Sequence, residues 1–330
     1  MYGLKSLFIC LITTTLLLSC KGDKTAQMET TTPETPTYEI SLAQWSLHKS
    51  FFGPALSGDW AAFGKMLQES PDSLLQGPLN PVDFPKIAKG YGINIIELVN
   101  TFYYSKAKDM AFWESFKKSC DEQGVKVGLI MCDALGDIGN ADSTARKLAV
   151  ENHYPWVDIA AYLGAHTIRV NAAGQGTAEE VAAHAADGLS KLGAYAATKG
   201  INVVVENHGG FSSDGSWLAG VMKAVNMENV GTLPDFGNFC MERTADGCAK
   251  EYDRYKGIEE LMPYAKGVSA KTNNFDEAGN EADKDYVRIM KIVKDSGFKG
   301  TIGIEYEGEV LSEDEGIKAT QALLNKVLQG

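Results

Sequence analysis

The sequence has few basic residues for its length, and they are not clustered. Of the 330 residues, 31 are lysine or arginine and 43 are aspartate or glutamate, giving a formal charge of −12. Nucleic acids and anionic membrane surfaces attract proteins through concentrated positive charge. We therefore expect no nucleic-acid partner, and no membrane contact made by the surface of the folded domain itself.

Several motifs of cofactor and nucleophile chemistry are also missing. The six cysteines form no CxxC pair and no cysteine–histidine zinc pattern. There is no Walker loop, no GxSxG elbow and no HExxH motif. Gly174-Gln175-Gly176 lacks the third glycine of a dinucleotide-binding turn. Cys240 and Cys248 are close enough for a loop disulfide, although two unpaired thiols fit the sequence equally well.

The N-terminus is typical of an export signal. Lys5 precedes an apolar run from Leu7 to Leu18, which is too short to span a bilayer and suits a signal peptide. The run ends in Leu17-Leu18-Ser19-Cys20, which resembles the lipobox of bacterial lipoproteins. The resemblance implies cleavage before Cys20 and lipid on that residue. A plain secretory signal with an incidental cysteine is the alternative.

Three segments follow from this interpretation. We expect residues 1–19 to be a lipoprotein signal peptide, residues 20–37 to be the lipidated cysteine with a flexible polar tether, and residues 38–330 to be the folded domain. The expected location is outside the cytoplasm, in the periplasm or at the outer membrane. The lipid would be the only membrane anchor, and the oligomeric state is left open.

From residue 38 onward, short β-branched runs alternate with longer helical patterns. Five of the junctions carry a glycine, and glycine accepts the left-handed conformation that ends a helix. These are Gly92, Gly124, Gly164, Gly200 and Gly297. Strands are predicted near 39–45, 93–99, 125–132, 166–171, 201–206, 230–235, 267–271 and 300–306. Helices are predicted near 109–123, 143–163, 177–199, 214–227, 281–296 and 313–328. Eight such units predict a single-domain α/β protein of the (β/α)₈ TIM-barrel class.

Polar residues gather where the predicted strands end, which is the end that carries chemistry in such barrels. The endings include Trp45, Glu97, Arg169, Asn171, Glu206, His208, Asp235, Asn238, Lys271 and Glu305. Side chains two apart on a strand share a face, so carboxylates of Glu206, Asp235 and Glu305 are expected to meet. A divalent cation, Mn²⁺ or Mg²⁺, would balance their repulsion. A salt-bridge network with Arg169 and Lys271 is the alternative.

With these residues the chain resembles the xylose-isomerase-like TIM barrels of the sugar phosphate isomerase and epimerase family. The resemblance rests on Val-Val-Glu206, Leu-Pro-Asp235, Ala270-Lys271 and Gly-Ile-Glu305, and spans about residues 38–328. It implies one metal held by Glu206, Asp235 and Glu305. The fourth family ligand, a histidine, is replaced by Ser269. His208, water or the substrate could take its place, and loss of the metal is a further alternative.

The resemblance implies proton abstraction beside a keto group through an enediolate. The catalytic residues would be Glu206, Glu305, Lys271 and His208, and the substrate contacts would be Glu97, Arg169, Asn171, Asn238 and Trp45. The first hypothesis is a sugar isomerase or epimerase acting on a small-molecule sugar. The alternatives are a lyase or hydratase of 3-keto sugars or glycosides, and a carbohydrate-binding lipoprotein without activity.

Overall fold

A computed structural model of the chain describes residues 38–57 and 59–329. Its main feature is a sheet of eight parallel strands. The strands are β1 (Glu39–Ala43), β2 (Ile95–Val99), β3 (Lys126–Met131), β4 (Thr167–Val170), β5 (Asn202–Glu206), β6 (Val230–Leu233), β7 (Val268–Thr272) and β8 (Thr301–Tyr306). The predicted barrel is confirmed, and the predicted segments 1–19 and 20–37 lie outside the described residues.

Helices cover the outside of the sheet. They are α1 (His48–Phe52), α2 (Trp60–Glu69), α3 (Phe84–Gly90), α4 (Met110–Gln123), α5 (Ser143–Leu163), α6 (Ala178–Ala197), α7 (Gly215–Val225), α8 (Arg254–Leu261), α9 (Tyr286–Asp295) and α10 (Glu313–Gln329). The helix predicted from residue 281 begins only at Tyr286. The residues before it form a loop, and Asp285 is the N-cap of the helix. Among the described residues, no helix is long and apolar enough to cross a membrane.

The strands pair in chain order, and β8 returns to pair with β1. Between β6 and β7 the ladder is reduced to two isolated parallel bridges, Thr232 with Ala265 and Asp235 with Ser269. Pro234 follows β6 directly and has no N–H to donate. The barrel is therefore nearly closed, and its weakest seam ends at Asp235.

Local sequence signals explain where the helices begin and end. Aspartates cap α4, α5, α7, α8 and α9 by accepting a hydrogen bond from a first-turn N–H. Thr177 and Glu180 form a capping box on α6. The five junction glycines all have φ between 63° and 80°, so the predicted left-handed junctions are confirmed.

One hairpin outside the barrel was not predicted. Its antiparallel strands, Cys240–Thr244 and Gly247–Glu251, lie between β6 and α8. A disulfide joins Cys240 to Cys248 across it, which resolves the two alternatives in favour of the pair. The other described cysteines, Cys120 and Cys132, are buried thiols. The sequence signal was too weak because most hairpin residues are exposed and carry no apolar alternation.

A leucine buried between the helices and the sheet should contribute more to folding stability than a leucine on the surface. Leu189 on α6 is fully buried, whereas Leu148 on α5 is 58% exposed. Leu189→Ala should lower the free energy of unfolding by about 2–5 kcal/mol, because it leaves a cavity. Leu148→Ala, the same change on a surface, should alter it by no more than about 0.5 kcal/mol. Urea unfolding measures both, and equal losses would contradict this placement of the core.

Candidate active site

Three carboxylates from different strands meet at the carboxyl end of the barrel. Glu206 is the last residue of β5, Asp235 follows β6, and Glu305 lies near the end of β8. Each is at most 4% exposed. One oxygen of each lies within 4.8 Å of the others. Barrel closure thus brings together acidic groups that are far apart in the sequence.

The backbone around Asp235 is held by an amide that the sequence analysis missed. The Oδ1 of Asn207 accepts the N–H of Asp235 at 2.7 Å, and its Nδ2 donates to the Asp235 carbonyl at 2.9 Å. The N–H groups of Gly237 and Asn238 donate to Asp235 Oδ1 at 2.7 and 2.8 Å. Asp235 is therefore fixed in one orientation, with Oδ2 left for the site.

Ser269, which replaces the expected histidine, bridges two of the carboxylates. Its Oγ lies 2.7 Å from Asp235 Oδ2 and 3.0 Å from Glu305 Oε2. A hydroxyl has one proton, so it can donate to only one of these oxygens at a time. The hydroxyl therefore occupies the position between the two acids where an imidazole was expected.

Lys271 brings positive charge to the same group. Its Nζ lies 3.2 Å from Glu305 Oε1, 3.3 Å from Glu307 Oε2 and 3.8 Å from Asp235 Oδ2. Burial acts to lower the pKa of Lys271, but the carboxylates around it raise that pKa well above its ordinary value. Lys271 is therefore a charged hydrogen-bond donor and not a base.

Arg169 is the second cation. Its Nε lies 2.9 Å from Glu206 Oε2, but the N–H is not directed at that oxygen, so the contact is an ion pair without a hydrogen bond. Its Nη1 donates to Asp133, which also accepts from Asn171 Nδ2 at 2.7 Å. Burial acts against the charge of Asp133, yet Arg169 holds the pKa of this carboxyl below its ordinary value. Asp133 was not predicted as a site residue, because it follows the last apolar residues of β3 and lies in the loop beyond the strand.

Glu97 lies deeper in the barrel, below these groups. It accepts a 2.6 Å hydrogen bond from Ser41, and Gly303 makes room for it, since a Cβ there would lie 2.7 Å from Glu97 Oε1. Burial, reinforced by the charges of Glu305 and Glu206, raises the pKa of Glu97 to about 7. Its depth places Glu97 under the carboxylate cluster and not at the rim.

The remaining predicted residues have different surroundings. The Nδ2 of Asn238 donates to Glu206 Oε1 at 3.0 Å. Trp45 is half-buried, stacks on His48 with ring centres 4.9 Å apart, and donates to Glu307. His208 is exposed, and its ring is not among the described donor atoms of the three-carboxylate group. The structure thus brings Asn238 to the cluster, Trp45 to its edge, and leaves His208 outside it.

The charges of this site are not balanced by the chain itself. Burial raises the pKa of both Asp235 and Glu305, even though Lys271 acts to lower them. Two cations, Arg169 and Lys271, contact a larger number of acids within the described part of the chain. Three buried oxygen donors and excess negative charge fit a hard divalent cation. The ion pairs of the alternative hypothesis are present too, but they do not remove this excess.

Comparison with known proteins identifies the family. Residues 85–327 match the family described as Xylose isomerase-like TIM barrel. The chain belongs to this family. The resemblance found in the sequence is therefore confirmed for the barrel, while Cys20 and the lipobox lie outside the described residues. No curated protein sequence matches the chain.

Solved structures share the fold at low sequence identity. A D-allulose 3-epimerase from Methylomonas sp. has a TM-score of 0.62 and 15% identity, covering 88% of this chain and 98% of its own. The 3-keto-D-glucoside 4-epimerase from E. coli has a TM-score of 0.58 and 15% identity, and the match covers 77% of this chain and 95% of the epimerase. A magnesium complex of a Xylose isomerase-like TIM barrel protein from Mycobacterium smegmatis has a TM-score of 0.58 and 16% identity. The match covers 89% of this chain and 96% of that protein.

The raised pKa of Glu97 predicts a dependence of stability on pH. The folded protein keeps a proton between pH 4.5, the ordinary pKa, and about 7, where the unfolded chain has lost it. Stability should therefore fall as the pH rises through this interval and level off above it. In Glu97→Gln, this fall should be smaller than in the wild type by up to about 3 kcal/mol.

Urea unfolding in the presence of EDTA, at pH values from 4.5 to 8.5, measures this difference. Asp133→Asn is the matched control, since the pKa of Asp133 is lowered. The contribution of this carboxylate to folding stability is lost only as the pH falls below 3.8, the ordinary pKa of aspartate. Between pH 4.5 and 8.5 its curve should run parallel to that of the wild type. A parallel curve for Glu97→Gln would show that Glu97 is ionised throughout.

Proposed function

We propose that this protein is a sugar isomerase or epimerase that requires a divalent cation, Mn²⁺ or Mg²⁺. The observation that carries the proposal is the buried carboxylate triad of Glu206, Asp235 and Glu305, with donor oxygens within 4.8 Å of one another. Family membership supports the reaction class. Two of the similar structures are an epimerase of D-allulose and an epimerase of a 3-keto-D-glucoside.

The triad would hold the cation. When bound, the cation would supply the positive charge that stabilises the enediolate formed by proton loss beside a keto group. Ser269 contributes a hydroxyl and no nitrogen, and the ring of the exposed His208 lies outside the triad. We therefore propose that sugar oxygens or water, and not His208, complete the ligand set.

Glu206 and Glu305 are the proposed bases. They come from β5 and β8, which are not neighbours in the barrel, so a ring lying between them would present a different face to each. Burial raises the pKa of Glu305, and a raised pKa favours a carboxylate in the role of general base. Asn238 and Arg169 hold the two oxygens of Glu206, and Lys271 donates to a sugar oxygen as a charged group.

Location is the last part of the proposal. The lipobox-like Cys20 would place the enzyme outside the cytoplasm on a lipid anchor. Sugar phosphates are cytosolic metabolites, so we propose a sugar or glycoside without phosphate as the substrate. Radiolabelled palmitate that enters the wild-type protein but not Cys20→Ala would support the anchor.

Metal binding gives the first test of the site. The purified protein should bind one Mn²⁺ per chain, with a rise in melting temperature on addition of Mn²⁺ or Mg²⁺ to protein stripped with EDTA, because binding stabilises only the folded state. Asp235→Asn should lose the bound metal and the thermal shift. Elemental analysis and differential scanning fluorimetry provide the measurements.

Glu114→Gln is the matched control for metal binding, since Glu114 is an exposed acid on α4, away from the triad and the cavity beside it. It should bind metal as the wild type does. Wild-type protein that carries no metal and shows no thermal shift would contradict the proposed centre. It would favour the ion-pair network of Arg169 and Lys271 instead.

Proton abstraction gives the second test. In D₂O with Mn²⁺, the enzyme should exchange the hydrogen beside the carbonyl of a ketohexose or 3-keto-glucose, as followed by NMR. Glu305→Gln should lower this rate by about 10²–10⁴-fold, because loss of a general base has effects of that size. Glu114→Gln should retain the full rate.

The product mass then separates the hypotheses. A mass that changes only by the deuterium taken up from D₂O supports an isomerase or epimerase, whereas loss or gain of water supports the lyase or hydratase. Sugar binding without any exchange would contradict catalysis and leave a carbohydrate-binding protein.

A further inference from the structure

A cavity of about 690 Å³ lies at the same end of the barrel as the carboxylate triad. Its walls come from the loops after β3, β4 and β5 and from the disulfide-closed hairpin. None of the three carboxylates is among the described residues that line it. The cavity is therefore a second space beside the centre, on the β3–β5 side.

Many of the residues that line this cavity are small. Alanines and glycines follow three successive strands, and they include Ala134, Gly136, Ala173, Gly174 and Gly209. Pockets for drug-sized ligands measure about 300–1,000 Å³. The volume thus suits a ligand larger than one hexose ring, although the proposed reaction needs only a single ring at the triad.

The lining has the chemistry that sugars require. Asp137, Asn171 and His208 offer hydrogen-bonding groups on one side, and Glu242 and Lys250 offer charged groups on the hairpin. Phe211 is half-buried and packs on Trp217 with ring centres 5.8 Å apart. An aromatic ring can cover the apolar face of a sugar, while the sugar hydroxyls need hydrogen-bond donors and acceptors as partners.

The cavity is connected to the triad through one hydrogen bond and two ion pairs. Asn171 lines the cavity and donates to Asp133, Asp133 pairs with Arg169, and Arg169 pairs with Glu206. The other amide atom, Asn171 Oδ1, is buried and accepts no hydrogen bond from any residue in the described ranges. Through its Nδ2, Asn171 links the lining of the cavity to the side chains beside the triad.

The hairpin wall is formed before any ligand binds. Its two strands are joined by the disulfide, and Tyr252 N–H donates to the Phe239 carbonyl at 2.9 Å where the hairpin leaves the barrel. A fixed wall lowers the entropy cost of binding, because no loop has to become ordered.

We propose that this cavity is a subsite for a second sugar residue, so the substrate class is a glycoside or oligosaccharide rather than a free monosaccharide. This inference rests on the proposed function, since the reacting ring would be held at the triad. The hairpin, the Asn171 amide and Phe211 would bind the residue that does not react.

Calorimetry tests the subsite without depending on catalysis. The probes are maltose, cellobiose and sucrose, with glucose as the single ring. At least one disaccharide should bind the wild-type protein ten times more tightly than glucose. Ala173→Trp fills the cavity from an exposed lining position and should abolish that preference, while the affinity for glucose changes less than twofold.

Ala183→Trp is the matched control, an exposed alanine on α6 away from the cavity, and it should behave as the wild type. If Ala173→Trp does not fold, Lys250→Ala on the exposed hairpin should reduce the preference at least threefold. Equal binding of glucose and all three disaccharides would overturn the subsite. So would a preference that persists in folded Ala173→Trp or, where that variant fails to fold, in Lys250→Ala.

Deuterium exchange separates this inference from the proposed function. Exchange into 3-keto-glucose without any preference for disaccharides would leave the function standing and remove the subsite. A preference for disaccharides without exchange into 3-keto-maltose or 3-keto-cellobiose would support the subsite and remove the proposed reaction.

Discussion

Excess negative charge buried at one end of the barrel is the constraint around which the site is organised. Glu206, Asp235 and Glu305 are taken out of water together, and burial of like charges costs free energy unless opposite charge is close. Arg169 and Lys271 supply part of that charge. The part that remains is what a divalent cation could balance.

The barrel meets this cost by rigid placement of the acids. Each acid lies at the end of a different parallel strand and is oriented by donors around it: backbone N–H groups for Asp235, the Asn238 amide for Glu206, and the Ser269 hydroxyl for Glu305. Asn207 shows this most clearly, since its one side chain ties the strand end of β5 to the backbone of Asp235. The weak seam between β6 and β7 lies at this point, where Ser269 and Asp235 form an isolated bridge. Acids held in fixed positions would coordinate a cation with little reorganisation, and the positive charge of that cation is what would stabilise developing negative charge.

Ser269 stands where a histidine was expected, and the buried acids and the lysine around it are still present. The hydroxyl joins Asp235 to Glu305, and Lys271 lies beside both acids. The cavity on the β3–β5 side lies at the same end of the barrel, and none of the three acids is among the described residues that line it.

The sequence by itself determined the elements that depend on local rules. Strand and helix periodicity, junction glycines with positive φ, and acids at the strand ends were all readable because each depends on residues close along the chain. Only the tertiary structure decided which of these groups meet. It left His208 exposed, placed Glu97 below the cluster, linked Asp133 to Arg169, and joined the hairpin cysteines. Contacts between distant residues depend on barrel closure and register, which no local pattern encodes.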